Sequence, residues 1–427
     1  MTTPGDAVAC VDIGSTYTKA ALVALPTGEL LATAQSPTTL DDVVRGVLAA
    51  TAGFADAPVV ACSSAGGGLR LAVVGYEELI SAEAGHRAAL SAGARVVHVV
   101  AGRLADAPPA ALDAVAPDVV LLVGGTDGGE AGVLRHNAAA LARWRPLPVV
   151  LAGNAAVRDE VAAVLRDGGL PVREADNVLP DIGRLAPESA RAAIREVFLE
   201  HVIGGDRLST DPRLRRWVRA VTPDAVLDGV TVLARARAQA EAPGVVVLDV
   251  GGATTDVYCV PDPDAEQSAL GREAVGVPAR RRTVEGDLGV AHSVADLRTA
   301  AAAESLPPAG DDPLALGTAA ATVALRRHLR AEAAYGAGGA SARTAGLVVL
   351  SGGVFRHADD VDAAVARIAA DGGGAGSVLT GTDVVVDRRY VLAAAGLLAA
   401  EHPGAAAGLV SPLAGAAPAP TGPTPPR

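Results

Sequence analysis

Residues Val8–Ala20 read VACVDIGSTYTKA, and residues Val245–Val257 read VVVLDVGGATTDV. When Asp12 is aligned on Asp249, each stretch shows an apolar strand that reaches an aspartate, then a glycine, a turn of small residues and a second strand. Two such stretches predict two β-hairpins of the same kind. The repeat therefore indicates a duplicated domain.

The composition is that of a globular protein. The chain has 427 residues, of which 50% are hydrophobic and 20% charged, so we expect two or three globular units and no wholesale disorder. Aromatic residues make up only 2%, and the formal net charge is −12, which together argue against a nucleic-acid partner. Lys19 is the only lysine in a chain that otherwise uses arginine, so its place in the first hairpin is informative.

The pattern of short β-rich runs and Ala/Arg-rich stretches predicts an α/β fold whose strands are covered on both faces. Cys10, Cys62 and Cys259 lack metal-ligand spacing, which argues against a disulfide framework, an iron–sulfur cluster or a structural zinc. No apolar run approaches the roughly 20 residues that span a bilayer, and the first residues do not resemble a secretory signal. We therefore expect a cytoplasmic protein with no membrane partner.

The organisation along the chain predicts five segments. They are residues 1–75, the N-terminal part of the first repeated lobe; 76–180, an inserted βα segment; 181–242, a helical connection; 243–402, the second lobe with a C-terminal connecting helix; and 403–427, a disordered tail. The tail is placed there because it is rich in Ala, Pro and Gly and shows no periodicity.

The turns of the two hairpins are suited to binding phosphate. A glycine at Gly14 and at Gly251 lets the backbone approach a phosphate closely. Hydroxyl and amide donors follow in both turns, namely Ser15, Thr16 and Thr18 in the first and Gly252, Thr254 and Thr255 in the second. An ordinary tight turn is the alternative for either copy alone, but two copies at the ends of buried-type strands favour a polyphosphate between them.

The charged residues of the hairpins suggest how that polyphosphate is held. Mg²⁺ keeps most of its waters and needs a few carboxylates nearby, so Asp12 and Asp249 are candidates to hold a hydrated ion. Asp249 is also the preferred candidate to orient an attacking water. Lys19, on the return strand, is placed to reach the β- and γ-phosphates. The alternative for each aspartate is a hydrogen bond to its own turn.

These residues resemble the phosphate motifs of the actin/Hsp70/sugar-kinase ATPase superfamily. LVVLSGGV (Leu347–Val354) resembles the adenosine motif of that superfamily, and AAAGLLAA (Ala393–Ala400) resembles its C-terminal connecting helix. The resemblance implies two ribonuclease H-like lobes around a nucleotide cleft, with Gly352 and Gly353 close to the nucleoside. We assign the first connecting segment to TVEGDLGV (Thr283–Val290), in which Glu285 or Asp287 would polarise the water.

A narrower resemblance covers residues from about Val8 to Leu398. It is carried by CSSAGGGLR (Cys62–Arg70), VVLLVGGTDGGE (Val119–Glu130), AGN (Ala152–Asn154), NVLPDIG (Asn177–Gly183) and RTVEGDLG (Arg282–Gly289). These motifs are similar to those of the MutL or GlmL family of accessory ATPases associated with glutamate mutase, which shares only its name with the mismatch-repair protein. The resemblance implies ATP, Mg²⁺ and a reactivating role toward an adenosylcobalamin-dependent mutase or aminomutase. An oligomer is compatible with it.

Other interpretations make distinct demands on the sequence. A carbohydrate kinase needs a catalytic aspartate and a sugar pocket, and neither is identified. An activator of 2-hydroxyacyl-CoA dehydratases needs a pair of cysteines for its iron–sulfur cluster. No second cysteine lies near Cys62 in the sequence. An actin-like filament needs a repeated assembly surface, and none is evident.

The glycine-rich runs Ser63–Gly68 and Gly124–Gly129 leave three interpretations open. They are anion-binding nests, flexible contacts for a partner protein, or only tight connections at strand ends, and Asp127 is the first residue to test. The single histidines lack spaced ligand partners, so core or surface roles are expected for them; they are His98, His136 and His201.

Overall fold

Two five-stranded sheets of the protein have the same strand order and the same strand directions. The computed structural model describes residues 6–54, 56–65, 69–76, 85, 88–89, 95–104, 110–182, 184, 186–203, 208–240, 242–261, 280–333, 341–371 and 382–415. All structural statements below concern these residues.

Sheet 1 belongs to the first lobe and has the order β3-β2-β1-β4-β10. Its strands are β1 Ala7–Ile13, β2 Tyr17–Ala24, β3 Leu30–Pro37, β4 Val59–Ser63 and β10 Val218–Val221. The first three strands are antiparallel neighbours, whereas β4 runs parallel to β1 and β10 runs parallel to β4. The first hairpin motif thus forms β1 and β2.

Sheet 2 belongs to the second lobe and repeats this plan with the order β13-β12-β11-β14-β15. Its strands are β11 Val245–Val250, β12 Thr255–Val260, β13 Arg281–Glu285, β14 Leu347–Ser351 and β15 Asp383–Val386. Again the first three are antiparallel, and the last two are parallel to β11. The duplicated α/β architecture predicted from the hairpin repeat is therefore confirmed.

Sheet 3 is a parallel sheet inserted between β4 and β10 of the first lobe, with the order β6-β5-β7-β8-β9. Its strands are β5 Arg70–Gly75, β6 Arg95–Ala101, β7 Val119–Leu122, β8 Val149–Leu151 and β9 Val172–Glu174. Because β5 pairs with β6 and β7, the insertion begins before the boundary that the sequence predicts after residue 75.

The helices connect and cover these sheets. They are α1 Val43–Thr51, α2 Ala110–Val115, α3 Gly132–Ala142, α4 Arg158–Asp167, α5 Glu188–Val197, α6 Pro212–Trp217, α7 Thr222–Ala236, α8 Val294–Ala303, α9 Pro313–Ala333, α10 Gly353–Arg356, α11 Asp362–Ala369, α12 Val391–Leu398 and α13 Pro403–Val410. A π-helix, Phe198–Ile203, continues α5. Proline stands in the first turn of α6, α7 and α13, where a backbone donor is not needed. None of the helices in the described ranges is both long and apolar enough to cross a bilayer.

A layer of helices separates sheet 1 from sheet 2. One hydrophobic core joins Val8 and Val23 of sheet 1, Val245 and Val247 of sheet 2, and apolar residues of α7, α12 and α13. We call these three helices the interlobe layer. The other face of sheet 1 shares a core with α5 and with sheet 3, and the other face of sheet 2 is covered by α8, α9 and α11.

Two predicted segments differ from the structure. The predicted helical connection 181–242 also contains β10, the last strand of sheet 1. The predicted disordered tail begins instead with helix α13, whose small residues allow it to pack closely. A Cβ atom on Gly408 would lie 2.1 Å from the carbonyl oxygen of Thr27, so α13 touches the turn between β2 and β3. Residues 416–427 lie outside the described residues, and the other predicted boundaries stay predictions.

Candidate functional site

The turns of the two hairpins have the same local structure. The Gly14 amide donates to the Tyr17 carbonyl at 3.1 Å, and the Gly251 amide donates to the Thr254 carbonyl at 2.9 Å. A Cβ atom would lie 2.8 Å from that carbonyl oxygen at Gly14 and 3.0 Å at Gly251, so a side chain would force a shift in the first turn and would be crowded in the second. The sequence repeat thus corresponds to a repeat of backbone geometry.

The first turn is supported by β3 and the residues that follow it. Thr38 donates its hydroxyl to the Gly14 carbonyl at 2.8 Å and its amide to the Thr16 carbonyl at 2.9 Å. In the second turn, the amides of Ala291 and His292 both donate to the Gly252 carbonyl at 2.9 Å. Thr38 and His292 were not expected from the sequence, because each reaches its turn from another segment of the chain.

Asp12 and Asp249 face the interlobe layer from opposite sides. Asp12 lies on the same face of β1 as Val8 and Cys10, because alternate residues of a strand share a face. Asp249 lies on the same face of β11 as Val245 and Val247. Both aspartates are one residue from the end of their strand. The two carboxylates are therefore directed toward the same space between the lobes.

Asp12 accepts a hydrogen bond from the first residue of α7. The Thr222 hydroxyl lies 2.6 Å from Asp12 Oδ1, and the Cys62 thiol lies 3.6 Å from the same oxygen. Cys62 is the register neighbour of Asp12 in β4. Thr222 was missed from the sequence because it is 210 residues away along the chain.

Asp249 is the aspartate of the second hairpin, and burial governs its ionisation. Burial raises its pKa to about 6, and the nearby carboxylates of Asp256 and Asp12 add to that rise, whereas Lys19 and a hydrogen bond with Ser351 oppose it. Ser351 is the register neighbour of Asp249 in β14, as Cys62 is of Asp12 in β4. Burial is thus the main cause of the raised pKa of Asp249, and Lys19 offsets part of it.

Lys19 is the cation placed beside both aspartates. It lies opposite Asp12 across the β1–β2 pair, and its Nζ lies 3.7 Å from the ring centroid of Tyr390, which precedes α12. Burial lowers the pKa of Lys19, but Tyr390, Asp12 and Asp249 outweigh that effect, so the pKa is raised overall. The ammonium therefore stays protonated at neutral pH, between two carboxylates and an aromatic ring.

The second lobe carries an ion pair at the position equivalent to Lys19. Asp256 lies opposite Asp249 across β11 and β12, and Arg282 of β13 lies 2.6 Å from its carboxylate. Thr254 also donates its hydroxyl to Asp256 at 3.2 Å. Asp256 and Arg282 were not expected from the sequence, although the alignment of the hairpins sets Asp256 against Lys19.

A match to one protein family covers most of the chain. A family model described as MutL protein matches residues 8–313 and 310–412. Protein MutL of Clostridium tetanomorphum is 36% identical over 313 residues, which make up 70% of this chain and 68% of the relative. The chain belongs to the MutL family. This is the MutL associated with glutamate mutase rather than the mismatch-repair protein, as the sequence motifs predict.

Solved structures with similarity to this MutL-family chain are distant in sequence. A nucleotide-free acetone carboxylase is 14% identical, with a TM-score of 0.34, over 66% of this chain and 48% of that one, so the chain spans about half of its length. The inorganic polyphosphate/ATP-glucomannokinase from Arthrobacter sp. strain KM is 13% identical, with a TM-score of 0.29, over 96% of this chain and 100% of that one. The xylulose kinase from Bifidobacterium adolescentis is 12% identical, with a TM-score of 0.29, over 96% and 94%.

The exposed donors of the two turns lie near each other in the MutL-family fold. A Cβ atom placed on Gly252 would lie 3.9 Å from the Thr16 hydroxyl, so the first turn approaches the second across the cleft. Ser15 and Thr16 are exposed, and Gly252 and Thr254 are half-buried. Thr16 and Gly252 thus face each other, and the binding role of the four positions stays a prediction.

The predicted donor roles of Thr18 and Thr255 are corrected by the structure. Both side chains are fully buried, and they occupy equivalent positions in the two hairpins. Thr18 shares a hydrogen bond with the Thr38 hydroxyl at 3.1 Å, and Thr255 donates to the Leu288 carbonyl at 2.7 Å. Each hydroxyl thus fastens its hairpin to the lobe and faces away from the cleft.

Gly352 and Gly353 have different reasons to be glycine. Gly352 has a φ of 118°, and a Cβ atom there would lie 2.2 Å from the carbonyl oxygen of Val250, so its role is close packing of β14 on β11. Gly353 is exposed at the start of α10, and a Cβ atom there would meet nothing closer than 3.9 Å. Only Gly353 of the two keeps an open side toward a ligand.

The predicted first connecting segment lies apart from the helix that crosses α12. Gly229 of α7 and Gly396 of α12 each pack on the backbone of the other helix, so α7 crosses the predicted C-terminal connecting helix. Residues Thr283–Val290 instead form part of β13 and the turn after it. The assignment of Thr283–Val290 as the first connecting segment stays a prediction.

Glu285 and Asp287 are both engaged by an arginine that the sequence did not indicate. Arg327 of α9 lies 2.7 Å from Glu285 and 2.8 Å from Asp287. The bonds to Arg327 lower the pKa of Asp287, even though partial burial opposes that shift. The role of Glu285 in polarising water stays a prediction. In this structure its carboxylate forms an ion pair with Arg327.

Three potential metal ligands in the second lobe are balanced without a metal. Cys259, His328 and Glu332 are buried, with one ligand atom of each within 4.8 Å of the others. Arg281 lies 3.0 Å from Glu332, and burial raises the pKa of Cys259 to about 12. The guanidinium therefore neutralises the carboxylate of Glu332, and the thiol of Cys259 stays protonated at neutral pH.

The remaining sequence candidates lie in or beside sheet 3. Asp127 accepts hydrogen bonds from the Ala155 amide at 2.8 Å and the Asn177 amide group at 2.9 Å, so it stabilises its own loop. His136 and His201 bond to backbone carbonyls, of Leu104 and Val197 respectively. Residues 66–68 of the run Ser63–Gly68 lie outside the described residues.

Proposed function

We propose that this chain is an ATP-binding and ATP-hydrolysing accessory protein that reactivates an adenosylcobalamin-dependent mutase of the glutamate mutase or aminomutase type. The observation that carries the ATP site is the pair of equivalent hairpins whose aspartates face one cleft with Lys19 between them. Membership in the MutL family supports the mutase as the client. The compartment proposed is the cytoplasm.

The chemistry of the donors suits a magnesium–triphosphate ligand. Asp12 and Asp249 offer carboxylate oxygens, the hard ligands that Mg²⁺ prefers, from the two facing hairpins. When bound, Mg²⁺ would neutralise phosphate charge and polarise the bond to the terminal phosphoryl group. The two aspartates would hold its waters in this interpretation.

The remaining residues of the site would bind and orient the phosphates. Lys19 would bind β- and γ-phosphate oxygens, and the turns at Ser15–Thr16 and Gly251–Gly252 would offer backbone donors from both lobes. Once its carboxyl group is ionised, Asp249 is the preferred residue to accept a hydrogen bond from the attacking water. The negative charge of the whole chain does not prevent binding, because the site supplies local donors.

Hydrolysis would alter how the two lobes are held together. The phosphates would be bound from β1–β2 and from β11–β12, so loss of the terminal phosphoryl group removes contacts that join the lobes. Sheet 3 shares a core with sheet 1, and it would move with the first lobe. This movement is the proposed source of work on the mutase.

The decisive experiment combines the purified protein with an inactivated adenosylcobalamin-dependent mutase encoded nearby. Mutase activity should return with MgATP and added cofactor, and should not return with ADP or with a non-hydrolysable ATP analogue. An Asp12→Asn variant should fail to restore activity, whereas Asp41→Asn, at an exposed position on the surface, should act as wild type. Equal recovery with and without ATP would contradict the proposal.

A further inference from the structure

Tyr390 adopts a backbone conformation that is unusual for a residue other than glycine. Its φ and ψ are 54° and 49°, in the left-handed region, at the position immediately before α12. Such a conformation costs free energy and persists when its surroundings determine it. The residues around Tyr390 therefore determine its backbone conformation.

The backbone around Tyr390 is held by a buried carboxylate. Asp387 is 1% exposed and accepts hydrogen bonds from the amides of Arg389 at 3.1 Å and Val391 at 3.0 Å. These bonds bracket Tyr390 on both sides. They set the start of α12, and with it the direction in which the tyrosine ring leaves the backbone.

The ring of Tyr390 contacts cations from two other elements. Lys19 Nζ of β2 lies 3.7 Å from its centroid, and the guanidinium carbon of Arg356, at the end of α10, lies 4.9 Å from it. The three side chains line one cavity together with Asp12. Lys19 belongs to the first lobe and Arg356 to the second, so the ring joins the two lobes at the cleft.

We propose that Tyr390 is a positioning residue, which holds the ammonium of Lys19 in place to receive phosphate and makes that position depend on the arrangement of the lobes. The inference rests on the proposed nucleotide site. A lysine side chain has four flexible methylene groups and a compact charge, so nothing in the side chain itself keeps the ammonium between two carboxylates. The face of an aromatic ring attracts a cation with a defined geometry, and Tyr390 supplies that face from across the cleft.

The proposal requires the aromatic face rather than the hydroxyl or the bulk of the side chain. Tyr390→Phe should therefore keep nucleotide affinity close to that of the wild type. Tyr390→Leu keeps apolar volume but lacks the ring, so it should bind MgATP and MgADP about tenfold more weakly, as expected from a cation–π contact of about 1.4 kcal/mol. Trp144→Leu is a matched control, because it removes a ring that has Arg145 at 4.9 Å in the segment between α3 and β8, away from the cleft.

A double-mutant cycle measured by titration calorimetry separates positioning from general damage. In a Lys19→Met background, Tyr390→Leu should cause no further loss of affinity, since the ammonium that it positions is gone. Unchanged or tighter binding by Tyr390→Leu, or an undiminished loss in the Lys19→Met background, would overturn the proposal. Absence of nucleotide binding by the wild type would instead overturn the proposed function, so the two failures are distinguishable.

Discussion

Gly229 and Gly396 make reciprocal contacts at the crossing of α7 and α12. A Cβ atom on Gly229 would lie 2.0 Å from the carbonyl oxygen of Leu392, and one on Gly396 would lie 1.7 Å from that of Ala225. Both distances are far below van der Waals contact with a backbone atom. The two helices of the interlobe layer can therefore cross this closely only while both positions lack a side chain.

We expect Gly396→Ala to destabilise the protein by about 1–3 kcal/mol, since the added methyl group must push the two backbones apart. Urea unfolding of the purified variant measures the change. Gly404→Ala is the matched control in α13, because a Cβ atom there would meet nothing within 4 Å. A Gly396→Ala protein as stable as the Gly404→Ala control would contradict the close crossing.

Replacement of either cleft aspartate should reduce magnesium-dependent turnover. Asp12→Asn and Asp249→Asn keep the side-chain shape but remove the negative charge that a divalent ion requires, so ATP hydrolysis should fall by at least about tenfold. A phosphate-release assay over a range of Mg²⁺ concentrations measures the loss, with Asp41→Asn as a surface control. Wild-type turnover in either cleft variant would remove that aspartate from the metal assignment.

The raised pKa of Asp249 predicts a pH-dependent stability in the metal-free protein. Folding raises this pKa from 3.8 to about 6, so the folded state binds the proton more tightly, and the resulting stability is present below about pH 4 and lost as the pH rises through 6. Asp249→Asn remains neutral at every pH. It should therefore be more stable than the wild type at pH 7.5, and this advantage should shrink toward pH 5.

Denaturant unfolding in EDTA at the two pH values measures this difference. Asp41→Asn, at an exposed position, controls for the removal of a surface charge. If the stability advantage of Asp249→Asn were the same at pH 5 and pH 7.5, the ionisation of Asp249 would not be its cause.

The buried pair of Arg282 and Asp256 should be important for the stability of the second hairpin. The two side chains are 7% and 12% exposed, so Arg282→Met leaves a buried carboxylate opposite Asp249 without its partner. We expect a loss of about 3–5 kcal/mol in the free energy of unfolding. Arg135→Met, which breaks an exposed pair with Glu160, should change stability little.

A second substitution tests the cause of that loss. Adding Asp256→Asn to Arg282→Met removes the isolated charge and should restore part of the stability. If the double variant were less stable than Arg282→Met alone, the unpaired carboxylate would not be the cause.

The parts of the fold that the sequence predicts are those encoded locally. Asp12 and Gly14, with Asp249 and Gly251, occupy equivalent positions in two short stretches, so the repeat predicts both the hairpins and the duplicated lobes. The small residues of Ala393–Ala400 likewise predict a closely packed helix, and α12 crosses α7 there. Each of these features depends on neighbouring residues of the chain.

The contacts that the sequence does not predict are made between distant segments. Thr222 bonds to Asp12, and Arg327 bonds to Glu285, only because the folded lobes bring them together. Thr18 and Thr255 fit the pattern of exposed phosphate donors, but strand alternation turns both hydroxyls inward. Position relative to a face of the sheet, rather than residue type, decides which hydroxyl meets the cleft.

Helix α13 gives the chain an interlocked architecture. A Cβ atom on Gly28 would lie 2.2 Å from the Ala405 carbonyl oxygen. Helix α13, which follows the second lobe in the sequence, therefore packs against the β2–β3 turn of the first lobe. Val8 and Val23 in turn are buried with α7 and α12. Each half of the molecule thus completes the interior of the other. A backbone cut between α7 and β11 should accordingly yield two fragments that reassemble by complementation. Domains that fold independently of each other would not do so.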